Sequence, residues 1–304
     1  LNEKRSLVDY FWIGARGFAM GAADVVPGVS GGTMAFILGI YDELIESIHA
    51  VNGEFVRRLL TFQWRAAFDG FPWKFLLSLA LGILSAILAL ANVLHWALEN
   101  HPVYIWAFFF GLILASIVAV RRRVRRWSAF NVIAAATAAV AAFVLVGLSP
   151  SETPHTPLLL FLSGAVAICA MILPGISGAF ILVLLGKYSY VLSAVKHFDI
   201  LTIALVGLGA VTGLLAFVRL LRWMLHRNHD LVVAILTGFM VGSLRKVWPW
   251  KTLEPLGDGF VREINFIPAA FNAESAAALI LMAAGIVLVL VVEHFAKRET
   301  AAQG

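Results

Sequence analysis

Long apolar stretches alternate along the chain with brief polar interruptions. Six stretches are apolar over nearly their whole length, at approximately 73–98, 102–120, 128–148, 199–225, 230–246 and 274–295. Each approaches the ~20 residues that a helix needs to cross a bilayer core, so each predicts a membrane span. The ~10-residue alternating segments of a transmembrane β-barrel are absent. Two further apolar stretches are punctuated instead of plain. The first, "ADVVPGVSGGTMAFILGIY" (residues 23–41), carries an acid, a proline and four glycines. The second, "MILPGISGAFILVLLGKY" (residues 171–188), repeats the punctuation.

Proline lacks an N–H and turns the residue before it away from helix, and glycine tolerates positive φ and close backbone approach. Ser30 and Ser177 stand where helix N-caps would sit, followed by Gly31, Gly32 and Thr33 in one case and Gly178 and Ala179 in the other. The pattern predicts a helix, a break at Pro27–Gly28 or Pro174–Gly175, and a second half-helix whose free N–H groups point into the protein. Such backbone cannot face lipid and must lie in protein or line a wet cavity. Free N–H groups at a helix start favour an anion, so two opposed breaks would build one central anion-favouring pocket. A pair of packing kinks without a ligand is the plainer alternative.

The two breaks belong to a duplication. A shift of 147 residues lays Pro27 on Pro174, Gly28 on Gly175, Ser30 on Ser177, Gly31 on Gly178, Gly17 on Gly164, Gly39 on Gly186 and Tyr41 on Tyr188. A shift of 127 lays Gly82 on Gly209, Trp96 on Trp223, Gly111 on Gly238 and Ser116 on Ser243. The difference is extra sequence in the first half, including "GEFVRRLLTFQWRAAFDGFPWK", which suits an amphipathic interfacial helix. Two units follow, 1–150 and 151–304, each a broken hairpin (7–48 or 157–195) and three spans.

Basic residues set the orientation. The run "RRRVRRW" at 121–127, with Arg57, Arg58, Arg65, Lys74, Arg219, Arg222, Arg227, Lys297 and Arg298, marks the inner side, and Lys4 and Arg5 put the N-terminus there too. The linkers "ENHP" and "SPSETPHTP" hold no Lys or Arg and face outward; Lys251 and Arg262 in the 247–273 loop are a mild exception. Each broken segment then enters and leaves on one side, the two from opposite faces. Three spans per half is odd, so the halves are inverted. The expected fold is an all-α membrane protein of inverted repeats, each a re-entrant broken hairpin plus three transmembrane helices, the architecture of many secondary transporters.

Composition agrees: 61% of the 304 residues are hydrophobic and 13% charged, and mean hydropathy is +0.90. The net charge of +5 sits at span ends, which fits topology and not nucleic-acid binding. The single Cys169 allows no intramolecular disulfide, and the eight histidines show no ligand spacing, so no metal or other cofactor is expected. No nucleotide-binding or hydrolase motif occurs. The N-terminus has the outline of a signal peptide, but Arg16 and Asp24 interrupt it and it recurs within the duplication, so it is expected to be retained. The missing initiator Met fits a trimmed start.

Ionisable groups at membrane depth are costly. Arg16 and Asp24 lie two helical turns apart, on one face. They form either a structural pair or a working one, Arg16 attracting an anion and Asp24 coupling to protons or cations. Met171 replaces Asp24 in the second copy, so this chemistry is asymmetric. Lys187 at the second hairpin's mouth is a solvated end or a receiver of anions from outside; Asp42 and Glu43 read as solvated ends, and Glu46 as a solvated residue or an inner gate.

With "GAADVVPGVSGGTMAFILGIYDELI" and "LPGISGAFILVLLGKY" together, the chain resembles the bacterial polyprenyl-phosphate transporter family over essentially its whole length. The resemblance implies transport of undecaprenyl phosphate from the outer to the inner leaflet of the cytoplasmic membrane, recycling the carrier lipid for envelope polymers, and no enzymatic activity. The expected partners are that lipid and the bilayer. Candidate binding residues are Arg16, Asp24, Pro27, Gly28, Ser30, Gly31, Gly32, Thr33, Pro174, Gly175, Ser177, Gly178 and Lys187. A transporter of a soluble anion, using the same pocket without a lateral portal, is one alternative; an intramembrane lipid phosphatase is another.

Overall fold

The punctuated stretches break into short helices, and the plain ones run long. The structure, a computed structural model, describes residues 5–25, 30–151, 153–256 and 260–302. The first punctuated stretch forms α1 (Leu7–Val25), α2 (Gly31–Ile37) and α3 (Tyr41–His49). Two small amphipathic helices follow, α4 (Gly53–Leu60) and α5 (Trp64–Phe68), then the long α6 (Trp73–Asn100), α7 (Pro102–Arg121) and α8 (Ala129–Leu145). The second punctuated stretch forms α9 (Pro157–Ile172), α10 (Gly178–Leu184) and α11 (Tyr188–Lys196). After it come α12 (Ile200–Arg227), α13 (His229–Ser243), β1 (Lys251–Leu256), β2 (Phe260–Asn265) and α14 (Ala273–Ala302).

Each punctuated stretch breaks twice. The first break falls between α1 and α2 and between α9 and α10; the second is at Gly39 (φ 72°) and Gly186 (φ 65°), in the left-handed region that favours glycine. Only the first was expected. The second reorients the chain sharply: α10 and α11 meet at 106°, as in a broken span or a re-entrant loop. Ser30 caps α2 by accepting from the Gly32 N–H at 3.1 Å, and Ser177 caps α10 by accepting from the Phe180 N–H at 3.5 Å.

Among the described residues, four helices are long and apolar enough to cross a membrane: α6, α7, α12 and Ala273–His294 of α14. The expected spans at 128–148 and 230–246 form helices of 17 and 15 residues. At 1.5 Å per residue these are about 25 and 22 Å long, short of a ~30 Å hydrocarbon core. They pack on each other, with Gly238 against the Ala135 carbonyl.

Small residues bring the helix pairs together. Gly17 of α1 lies against the Leu79 carbonyl of α6, and Gly82 of α6 against the Gly14 carbonyl of α1. In α9 and α12, Gly164 lies against the Val206 carbonyl and Gly209 against that of Phe161. Gly111 of α7 meets the Met282 carbonyl of α14. A methyl group at any of these positions would overlap backbone, which cannot yield as a flexible side chain can. Close backbone approach at small residues is how helices associate where lipid removes the hydrophobic drive between them.

Two further departures from expectation concern the loops. The stretch expected as one interfacial helix divides at Phe62 (φ 57°) into α4 and α5, leaving Leu60, Phe62, Trp64 and Phe68 exposed. The 247–273 loop, in a chain expected to be all-α, contains an antiparallel hairpin in which Lys251 pairs with Asn265 and Leu253 with Glu263.

Candidate functional site

The start of α2 meets the second Pro-Gly break. The Ser30 hydroxyl donates toward the carbonyls of Met171 (3.0 Å) and Leu173 (3.3 Å), and the Tyr41 hydroxyl donates to the Ile172 carbonyl at 3.3 Å. In return the Gly175 N–H donates to Thr33 Oγ1 at 3.0 Å. Gly32 is the one residue type that fits its place, because a Cβ there would lie 2.5 Å from the Ile172 carbonyl oxygen. Gly175 has φ 93°, and a Cβ on it would lie 2.8 Å from Ser243 Oγ at the end of α13. Ser30, Thr33, Ser177 and Ser243 are all buried. The junction is thus a small polar cluster joining segments about 140 residues apart, surrounded by the main apolar core.

The first-turn N–H groups of α2 are already engaged. Gly31 donates to Asp24 Oδ1 at 2.7 Å, Gly32 to Ser30 Oγ, and Thr33 to the Ser30 carbonyl at 2.9 Å. The Asp24 carboxylate therefore occupies the position where an incoming anion would meet Gly31, and Gly31 has no side chain because Asp24 fills that space. Arg16 is half-buried two turns earlier on α1. Pro27 and Gly28 lie outside the described residues.

Lys187 stands apart from this cluster and is not a solvated end. It is fully buried, and its ammonium donates to the carbonyls of Thr153 and Pro154 (2.7 Å) and faces His155 Nδ1 at 3.0 Å. Its three donors hold the segment before α9 against the α10–α11 bend. Glu46 is likewise not simply solvated: it accepts from Arg222 Nε of α12 at 2.7 and 2.8 Å, beside His49. Glu43 pairs with Arg5, while Asp42 is exposed.

A cavity of about 680 Å³ opens beside the junction. Asp24 and Met171, which the sequence shift of 147 residues pairs, both line it, as do Ala179 and Phe180 of α10. Its lining is largely apolar, with Ile87, Val146, Leu148 and Val183, and also includes Arg245, Lys246, Glu263 and Asn265. Arg245 and Lys246 follow directly on α13 and were not among the expected site residues. At the end of a span, next to a tryptophan-rich loop, two basic residues look like topology determinants. Their position two and three residues after Ser243, which the shift of 127 pairs with Ser116, was the available signal.

A family profile described as undecaprenyl phosphate translocase-like matches residues 20–258, a range that includes both breaks and the cavity's cationic lining up to Lys246. The chain belongs to that family. A polyprenyl-phosphate transporter of Vibrio cholerae serotype O1 is 42% identical over 297 residues, covering 93% of this chain and 96% of the relative. Another from Staphylococcus aureus is 33% identical over 257 residues, covering 78% of this chain and 86% of the relative. Both carry the name of a transporter and not of an enzyme. No solved structure matches the chain. Membership in the translocase-like family agrees with the apolar spans: this is a multi-pass membrane protein of a transporter family.

Proposed function

We propose that the protein moves undecaprenyl phosphate from the outer to the inner leaflet of the bacterial cytoplasmic membrane, recycling the carrier lipid for envelope synthesis. The observation that carries this reading is the cavity beside the junction, whose lining combines cations with many apolar side chains. A polyprenyl phosphate needs both: an anionic head must leave water, and a long chain must stay in hydrocarbon. Asp24 on the Gly31 N–H supports the tip as a place that accepts negative charge. The head group would take over donors of the junction when Asp24 withdraws, and the tail would remain in lipid beside the apolar lining.

Two inverted halves, 1–150 and 151–304, would supply the motion. The duplicated glycine contacts support this division, because Gly17–Leu79 and Gly164–Val206 are the same pair under the two sequence shifts. The placement of Lys and Arg supports both termini on the cytoplasmic side. Rocking of one half against the other would part the junction on alternate sides.

The test is retention of lipid by detergent-purified protein in native mass spectrometry, with undecaprenol and an ordinary anionic phospholipid as competitors. Retention of undecaprenyl phosphate over both competitors is expected. Equal retention of all three lipids would remove the substrate assignment.

A further inference from the structure

We propose that Arg245 and Lys246 form the recognition site for a phosphomonoester head group, and that Glu263 is the internal counter-ion the phosphate displaces. This deepens the transport reading and rests on it. Both cations line the cavity, and both are fixed there by packing. The Arg245 guanidinium lies 4.4 Å from the centre of the Phe143 ring and donates once, from Nη1 to the Phe143 carbonyl at 3.0 Å. It also rests against Gly147, in the space a side chain there would take. One of its five donors is used among the described residues, and the planar fork suits a phosphate.

Lys246 stands 5.0 Å from the centre of the Phe180 ring of α10 and pairs with Glu263 Oε1 at 2.9 Å. Glu263 Oε2 is shared with Lys251 at 3.2 Å, and Lys251 is further held by the Lys246 carbonyl and the Trp106 ring. One carboxylate therefore answers two lysines, and Arg245 has no carboxylate within ion-pair distance among the described residues. The lining has spare positive charge and an exchangeable internal anion. Lys246 is only 14% exposed, so a phosphate oxygen arriving from the cavity would meet a largely desolvated ammonium, where charge-assisted bonds are strong.

The location adjoins the junction. Ser243, two residues before Arg245, packs on Gly175 of the second break. A phosphate on Arg245 and Lys246 would thus sit next to the element whose movement transport requires. The first half holds Val118 and Ala119 at the equivalent positions, so the site exists on one side only. That asymmetry suits a carrier that loads from one leaflet.

The experiment measures retention of undecaprenyl phosphate by wild type, Arg245→Ala, Arg245→Lys, Lys246→Gln and Glu263→Gln, with inorganic phosphate and undecaprenol as separate competitors. Arg245→Ala and Lys246→Gln are expected to weaken retention by about tenfold or more, and Arg245→Lys to recover part of the loss. Glu263→Gln is expected to tighten retention, because it removes the competing carboxylate; a purely structural ion pair would not give a gain. Displacement by inorganic phosphate would define a site for the free anion, whereas displacement by neither competitor is expected for the lipid phosphate. Wild-type affinity in Arg245→Ala and Lys246→Gln, with selective binding intact, would overturn this site and leave the transport reading standing. Loss of selectivity in wild type itself would overturn both.

Discussion

Thr33→Val tests the junction between the two breaks with almost no change of volume. Thr33 is 0% exposed, and its Oγ1 accepts the Gly175 N–H at 3.0 Å. Valine keeps the shape but leaves that N–H without an acceptor inside the protein. An unsatisfied buried donor costs about 1–3 kcal/mol, a change of about 5- to 150-fold in an equilibrium constant. The cost falls on the closed junction alone, because a parted junction exposes the N–H to water. The opening equilibrium of the second break should therefore rise by that factor, while the global fold, held by the helix pairs, changes little. Hydrogen exchange of the segment around Gly175, followed by mass spectrometry in detergent, reads the opening directly. The variant is expected to exchange about 5- to 150-fold faster there, with unchanged protection in α7 and α14. Unchanged exchange around Gly175 would refute the claim that this hydrogen bond holds the two breaks together.

Three other outcomes follow from the same contacts. Lys187→Met should lower stability in detergent by about 1.5–3 kcal/mol, the scale of lost bonds from a charged donor, and leave phosphate-lipid retention unchanged; a selective loss of lipid binding would mark it as an anion receiver. Exchanging the charges of Glu46 and Arg222 in a double variant should recover most of the loss from either single change, a coupling of about 0.5–1 kcal/mol for a pair this exposed, measured by a thermal-unfolding cycle. Burial pulls the Lys251 ammonium from 10.5 down to about 8, so the unfolded chain binds more protons than the folded one between those values. Stability should then rise with pH through that window, and Lys251→Met should flatten the rise seen in melts at about pH 7.5 and 9.5.

The break chemistry was legible because proline and glycine act locally. Pro174, Gly175 and the two cap serines announce where helix must stop and restart, whatever surrounds them. Convergence of the two punctuated stretches was expected from their matching punctuation, but the pairs that join them, Ser30 to Met171 and Thr33 to Gly175, depend on side-chain reach across 140 residues. The second break at Gly39 and Gly186 was visible as a matched pair and still not read as one, because a glycine in an apolar run is also common at helix contacts. Lys187 was misread for a related reason. A lysine at the end of an apolar segment usually reaches water, and nothing local reveals that the carbonyls of Thr153 and Pro154 fold back to receive it. The β-hairpin left a trace in "KTLEPLGDGFVREIN", two short alternating strings about Gly-Asp-Gly. Arg245 and Lys246 gave the weakest signal, since basic residues at a span end normally speak of orientation.

Movement of the lipid between leaflets tests the central claim most directly. Purified protein would be reconstituted into vesicles containing undecaprenyl phosphate, and an impermeant phosphatase added outside. Lipid exposed only on the inner leaflet stays protected unless it is carried across. The expected result is dephosphorylation of nearly the whole pool in vesicles with protein, slowed in Arg245→Ala, and of the outer-leaflet share alone in vesicles without it. A protected inner pool that is the same with and without protein would contradict the assignment of this chain as a carrier of polyprenyl phosphate.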